Sequence, residues 1–124
     1  MYYCTFLVHL DVGYKTWSEA KRLCQDMNGR LPEVRTQEEF REAVRIRSEI
    51  GWPFWLGGSD ERVEGDWRWE SDEGRIDMSN FWRPNQPNGG RRDNCLAMSW
   101  NSRRSFGFFD DRCSVTLRVV CDVN

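Results

Sequence analysis

The chain has 124 residues, enough for one domain with a substantial core. Its 18 basic and 20 acidic side chains leave a net charge of −2, which argues against a nucleic-acid binder. No apolar run approaches membrane-spanning length, and Met1-Tyr2-Tyr3-Cys4 lacks the basic start of a signal peptide, so a secreted product would have its targeting segment outside this sequence.

Tyr2–Leu10 is rich in β-branched and aromatic residues and reads as a strand. Thr16-Trp17-Ser18-Glu19 then forms a capping box, a hydroxyl for the orphan amides and a carboxylate three residues on. Ala20, Leu23, Cys24 and Met27 recur at helical spacing, with Gly29 as the stop, so Cys24 faces the core. The device repeats at Thr36-Gln37-Glu38-Glu39, followed by Phe40, Ala43, Val44 and Arg47 and closed by Gly51. Beyond Gly51 the pattern becomes short and extended. Phe54–Leu56 reads as a buried strand, Trp67–Trp69 as a half-buried one, and Cys95–Ser99 and Arg118–Cys121 as two more. Helices first and an irregular β half afterwards predict an α+β fold in one domain spanning residues 1–124, with no internal repeat. Seven tryptophans in a chain that is 14% aromatic point to a packed core and to stacking surfaces.

The cysteines are Cys4, Cys24, Cys95, Cys113 and Cys121. None forms a C-x-x-C pair, and the single His9 supplies no zinc partner, so disulfides in an oxidising compartment are the expectation. Four cysteines can pair in three ways, and one is left over. The longest irregular stretch, Phe81–Cys95, holds two prolines and two glycines, with Trp82 able to plug one end into a core and Cys95 able to staple the other. Between them Asn85, Gln86, Asn88, Asp93 and Asn94 all offer oxygen, the donor set of a hard cation such as calcium. Turn chemistry alone would also account for that composition.

These segments, in this order, resemble the C-type lectin-like domains over nearly the whole chain. Trp17–Cys24 resembles the family's first helix, and Leu31-Pro32 the approach to the strand after it. Trp55-Leu56-Gly57-Gly58 resembles its Trp-Ile-Gly-Leu signature, and Gly65–Trp69 the following strand. Phe81–Cys95 is similar to its long loop, while Cys113 and Cys121 stand at the spacing of its last two cysteines. The resemblance implies two helices and two small antiparallel sheets with a long irregular loop region, and the disulfides Cys24–Cys121 and Cys95–Cys113. Cys4 resembles the second cysteine of an N-terminal hairpin whose partner lies upstream of this sequence, leaving it unpaired or available to another chain.

The resemblance also implies a site. Gln86-Pro87-Asn88 stands where sugar-binding members carry Glu-Pro-Asn or Gln-Pro-Asp, and Asp93 and Asp110 match the next acidic ligands. That gives Gln86, Asn88, Asp93 and Asp110 as calcium ligands. Asp60, Glu64 and Asn94 resemble an auxiliary ion site. The sequence departs from the pattern in three places: Phe108-Phe109-Asp110 replaces Trp-Asn-Asp, Gln86 and Asn88 are both amides, and Gly89 stands where an acid or amide is usual. Arg91, Arg92, Arg103 and Arg104 flank the expected site and suit anionic ligands. Trp100 and Phe106 offer stacking faces.

His9 is alone, and no nucleophile has a recognisable base, so the expectation is a binding domain and not an enzyme. The expected function is calcium-assisted glycan recognition at cell or microbial surfaces by a secreted or extracellular domain, through Gln86, Asn88, Asp93, Arg91, Arg92, Trp100 and Arg103. The rival is a lectin-like domain without an ion that binds a protein or anionic ligand. A third is an interaction module that oligomerises through Cys4.

Overall fold

A computed structural model describes residues 6–76, 81–82, 87, 94–100 and 106–123. Among the described residues eight elements follow in order: β1 (Leu7–Lys15), α1 (Trp17–Asp26), α2 (Gln37–Ile50), β2 (Phe54–Ser59), β3 (Arg68–Trp69), β4 (Cys95–Trp100), β5 (Phe106–Asp111) and β6 (Leu117–Asp122).

Both helices begin where the capping chemistry dictates. Thr16 and Thr36 accept from the Glu19 and Glu39 amides, and each glutamate reaches back to its cap. Satisfying two orphan donors at each end fixes where the helix starts. Gly51 closes α2 in a left-handed turn (φ 68°) and returns its amide to the Arg47 carbonyl. The expected stop of α1 is displaced: the helix ends at Asp26, Asn28 takes the left-handed turn (φ 60°), and Met27 is exposed. Gly29 has a different duty. A Cβ there would lie 2.5 Å from the Asp122 carbonyl oxygen, so only glycine lets this turn sit against β6.

The sheet order is β1-β6-β2-β4-β5, with β3 on β2. The β1–β6 ladder and the β2–β3–β4–β5 ladders are antiparallel; one parallel bridge, Phe54 to Arg118, joins them. β1 runs five residues past its expected end. Its register with β6 holds from Leu7 to Leu10, breaks over a bulge containing Gly13 (φ 81°), and resumes at Lys15 opposite Leu117. The Asp11–Gly13 composition reads as a strand end, but a partner strand on the far side of the bulge continues the pairing. β5 is a strand where only a motif was expected, paired residue for residue with β4 from Trp100–Phe106 to Cys95–Asp111.

β2 is buried on both faces, which accounts for its unbroken apolar run. Phe54 and Leu56 pack with α2 residues Ala43 and Ile46 and with Trp67, Trp69, Leu96, Met98 and Phe108. Trp55 faces the other way, into Trp17, Ala20, Leu31, Ala97 and Val119. The Trp17 indole N–H donates to the Leu56 carbonyl and that of Trp55 to the Lys15 carbonyl, each at 2.9 Å, so neither buried ring leaves a donor unmet. Disulfides join Cys24 to Cys121 and Cys95 to Cys113, the pairings that the resemblance implies.

Candidate functional site

The site grows from one end of β2. Ser59 pairs with Cys95, and the next amide, that of Asp60, donates to the Asn94 carbonyl at 3.1 Å. Asp60 and Asn94 are therefore held together by backbone. β5 runs alongside, with Asp110 opposite Leu96, and brings a third polar side chain to the same end. Asp60 then organises the loop that follows it. Its Oδ2 accepts from the Gly65 amide at 2.9 Å, and Gly65 (φ 83°) makes the reversal that returns Glu64 toward Asp60. Asp60, Glu61, Glu64 and Asn94 line an open cavity of about 290 Å³.

The electrostatics are unusual for a surface loop. Asp60 is 3% exposed, and its second oxygen, Oδ1, is buried without a hydrogen-bond partner. Burial pushes its carboxyl up to about 6, helped by Glu64, through its negative charge and a hydrogen bond that forms when one of the two carboxyls is protonated, and by the charge of Asp110; only the Gly65 amide pulls the other way. A buried carboxylate oxygen with no donor costs free energy unless a cation answers it. The donors at hand are carboxylate and amide oxygens, the set that calcium prefers. Oxygen chemistry and an orphaned buried oxygen together fit a hard cation.

Asp60, Glu64 and Asn94, the expected auxiliary set, are thus brought together, and Asp110 stands beside them, 5% exposed. Glu61 was missed by sequence reasoning. It directly follows Asp60, and adjacent acids read as a solvated run, but the turn made by Gly65 puts both on the same cavity. Glu61 also lies 3.9 Å from the Cys113 sulfur. That contact does not make a metal centre with Cys95 and Cys113, because both sulfurs are consumed in a disulfide. Gln86, Asn88, Arg91, Arg92, Asp93, Arg103 and Arg104 lie outside the described residues, as do the side chains of Trp100 and Phe106.

What the structure shows of the long loop is its anchors. Phe81 stacks on Phe40 at 4.6 Å, and its carbonyl accepts from the Phe108 amide at 2.7 Å. Trp82 meets Trp67 and Phe108 edge to face at 5.3 and 5.8 Å. At the other end Cys95 is covalently tied to Cys113. The departure at Phe109 also gains a physical reading. Phe108 joins the α2 side of the core and Phe109 packs against the opposite cluster, so the ring at the usual amide position serves packing.

Residues 14–123 match the family model described as the lectin C-type domain. The chain is 34% identical over 86 residues to a perlucin-like protein of Mytilus galloprovincialis, covering 65% of this chain and 53% of that one. It is similar to the carbohydrate-recognition domain of cow CD23, solved in the presence of a GlcNAc2Man3 oligosaccharide: TM-score 0.73, 31% identity, 96% of this chain and 85% of that one. A calcium-independent type II antifreeze protein matches with TM-score 0.73 and 25% identity, over 95% and 83% of the two chains. The chain spans about half the length of the first curated relatives it matches. Family model, fold and disulfides converge: the chain belongs to the C-type lectin domain family.

Proposed function

We propose that the chain is an extracellular carbohydrate-recognition domain that binds glycans with the help of calcium. The observation that carries this reading is the buried Asp60 carboxylate, whose orphan oxygen borders an oxygen-lined cavity beside the long loop. Asp60, Glu61, Glu64 and Asn94 would hold one ion, and Gln86, Asn88, Asp93 and Asp110 the one that meets sugar. When bound there, calcium offers coordination positions that two adjacent sugar hydroxyls can fill. The chain's own groups supply the rest. The amide NH2 groups of Gln86 and Asn88 donate to sugar oxygens, and Asp93 and Asp110 accept hydroxyl protons. With both flanking residues neutral, discrimination among neutral sugars is weak, and Arg91, Arg92, Arg103 and Trp100 carry selectivity toward acidic or clustered glycans. The activity is binding, not catalysis, and oligomers of the domain, including ones joined through Cys4, would raise avidity for cell or microbial surfaces.

Calorimetric calcium titration, with melting curves in calcium and in chelator, tests this. Calcium at a hundred times its Kd adds about 2.7 kcal/mol to stability. No heat and no shift in melting temperature at millimolar calcium would favour the second reading, an ion-free lectin-like domain that binds a protein or anionic ligand. That reading draws on Phe109, whose partly buried ring packs against the core where the resemblance places a ligand amide.

A further inference from the structure

A second, larger cavity of about 480 Å³ adjoins the acidic one and shares Glu64 with it. Its other lining residues are Gly65, Asp66, Trp67, Arg75 and Ile76. Trp67 and Ile76 are 2% and 3% exposed and belong to the core, so they form a rigid floor. The backbone around Arg75 is equally fixed: the Ile76 amide donates to the Trp67 carbonyl at 3.0 Å, the Trp69 amide to Gly74 at 2.9 Å, and Arg75 bridges Arg68.

The charges do not balance at this rim. Asp66 is gripped in a fork by Arg68, Nε to Oδ1 and Nη2 to Oδ2, both at 3.0 Å. Such bidentate pairing commits both carboxylate oxygens. Arg75 reaches the same Oδ1 only at 3.8 Å, with its side chain 78% exposed. One carboxylate therefore stands between two guanidinium groups and satisfies the first. Nearby Glu73 is engaged by Arg62. Among the described residues of this rim Arg75 is therefore the least closely engaged guanidinium, above a cavity large enough for one sugar residue.

We infer that this groove is an anion subsite, in which Arg75 receives a sulfate or carboxylate carried by the glycan while neighbouring parts of the same glycan lie toward the Asp60–Glu64 cavity. The inference deepens the reading proposed above and rests on it. Glu64 borders both cavities, so its negative charge opposes an anionic ligand until a cation answers it. Acidic glycan and calcium therefore bind with positive, reciprocal coupling.

The test uses the full chain in calcium, with galactose- and mannose-terminated oligosaccharides, each with and without a 6-O-sulfate. The wild type should bind the sulfated member of a pair more tightly by about fivefold, the upper range of one exposed charge pair. Arg75→Ala should bring that ratio to about one, Arg75→Lys should keep part of it, and Arg45→Ala, on the exposed face of α2, should leave it unchanged. An unaltered ratio in Arg75→Ala would overturn the subsite, and would assign the preference elsewhere if Arg91→Ala/Arg92→Ala abolished it. A wild type that binds neutral glycans with calcium but shows no sulfate preference would overturn the subsite alone. A wild type that takes up neither calcium nor any glycan would overturn the subsite and the reading beneath it together.

Discussion

Asp60 holds a carboxyl whose folded-state pKa is raised, to about 6, because burial and two negative neighbours disfavour its charge. The sign of its linkage follows. Between the ordinary carboxylate value and about 6 the folded chain keeps a proton that the unfolded chain has lost, so this group's contribution to stability falls as pH rises through that window. Calcium competes for the same oxygens, so its affinity should weaken as pH falls, by about tenfold between pH 7 and pH 5. Titrations at the two pH values check this, and an equal Kd at both would remove Asp60 from the ligand set. Asp60→Asn keeps an acceptor for the Gly65 amide and deletes the buried charge. It should melt a few degrees higher than wild type in chelator and lose the stabilising effect of calcium. Gly29 supplies the opposite kind of test. Gly29→Ala drives a methyl group against a backbone oxygen that cannot rotate away, and should cost about 2–3 kcal/mol in denaturant unfolding.

At the scale of elements the two disulfides have separable duties. Cys24–Cys121 spans 97 residues and joins α1 to β6 in the core, far along the chain from the acidic cavity. Cys95–Cys113 spans 18 and fixes the start of β4, one residue from Asn94. Replacing the first pair by alanine should cost about 4–5 kcal/mol and leave calcium affinity nearly intact in the folded fraction. Replacing the second should cost about 3 kcal/mol and weaken calcium binding as well. Unfolding curves and calorimetry on the two double variants decide this, and equal calcium affinities would refute the division. The elements also show why some of this was legible. Both helices carry complete capping boxes, a signal that is local and therefore readable. β5 was not readable as a strand, because Phe106-Gly107-Phe108-Phe109-Asp110-Asp111 has no alternation between apolar and polar. Phe108 and Phe109 are packed, one against each core cluster, largely by elements far away in sequence. The bulge in β1 failed for a related reason, since only β6 on its far side shows that the pairing resumes.

Across the whole molecule, residue types and spacing carried the two helices, most strands and the α+β class, while the disulfide pairing and the grouping of the auxiliary residues came from the resemblance. Asp60, Glu64 and Asn94 were legible because their spacing along the chain resembles a known pattern. Glu61 and Arg75 were not legible even as cavity-lining residues, since a turn or a backbone bridge brings each to its cavity. Phe81 and Trp82, locked into the core, and Cys95, locked to Cys113, act as two fixed posts for everything written between them. In chelator, where no ion is held, stability should then be nearly indifferent to what that intervening text says. Doubling the length of a tethered segment costs only about 0.6 kcal/mol in closure entropy. A Gly-Ser-Gly insertion after Gly90 should shift the melting temperature by no more than about 2 °C while altering which glycans are retained on an array. By that closure term, the two posts should let loops of other lengths be exchanged between them as cassettes, so that new specificities are tried at small cost to folding.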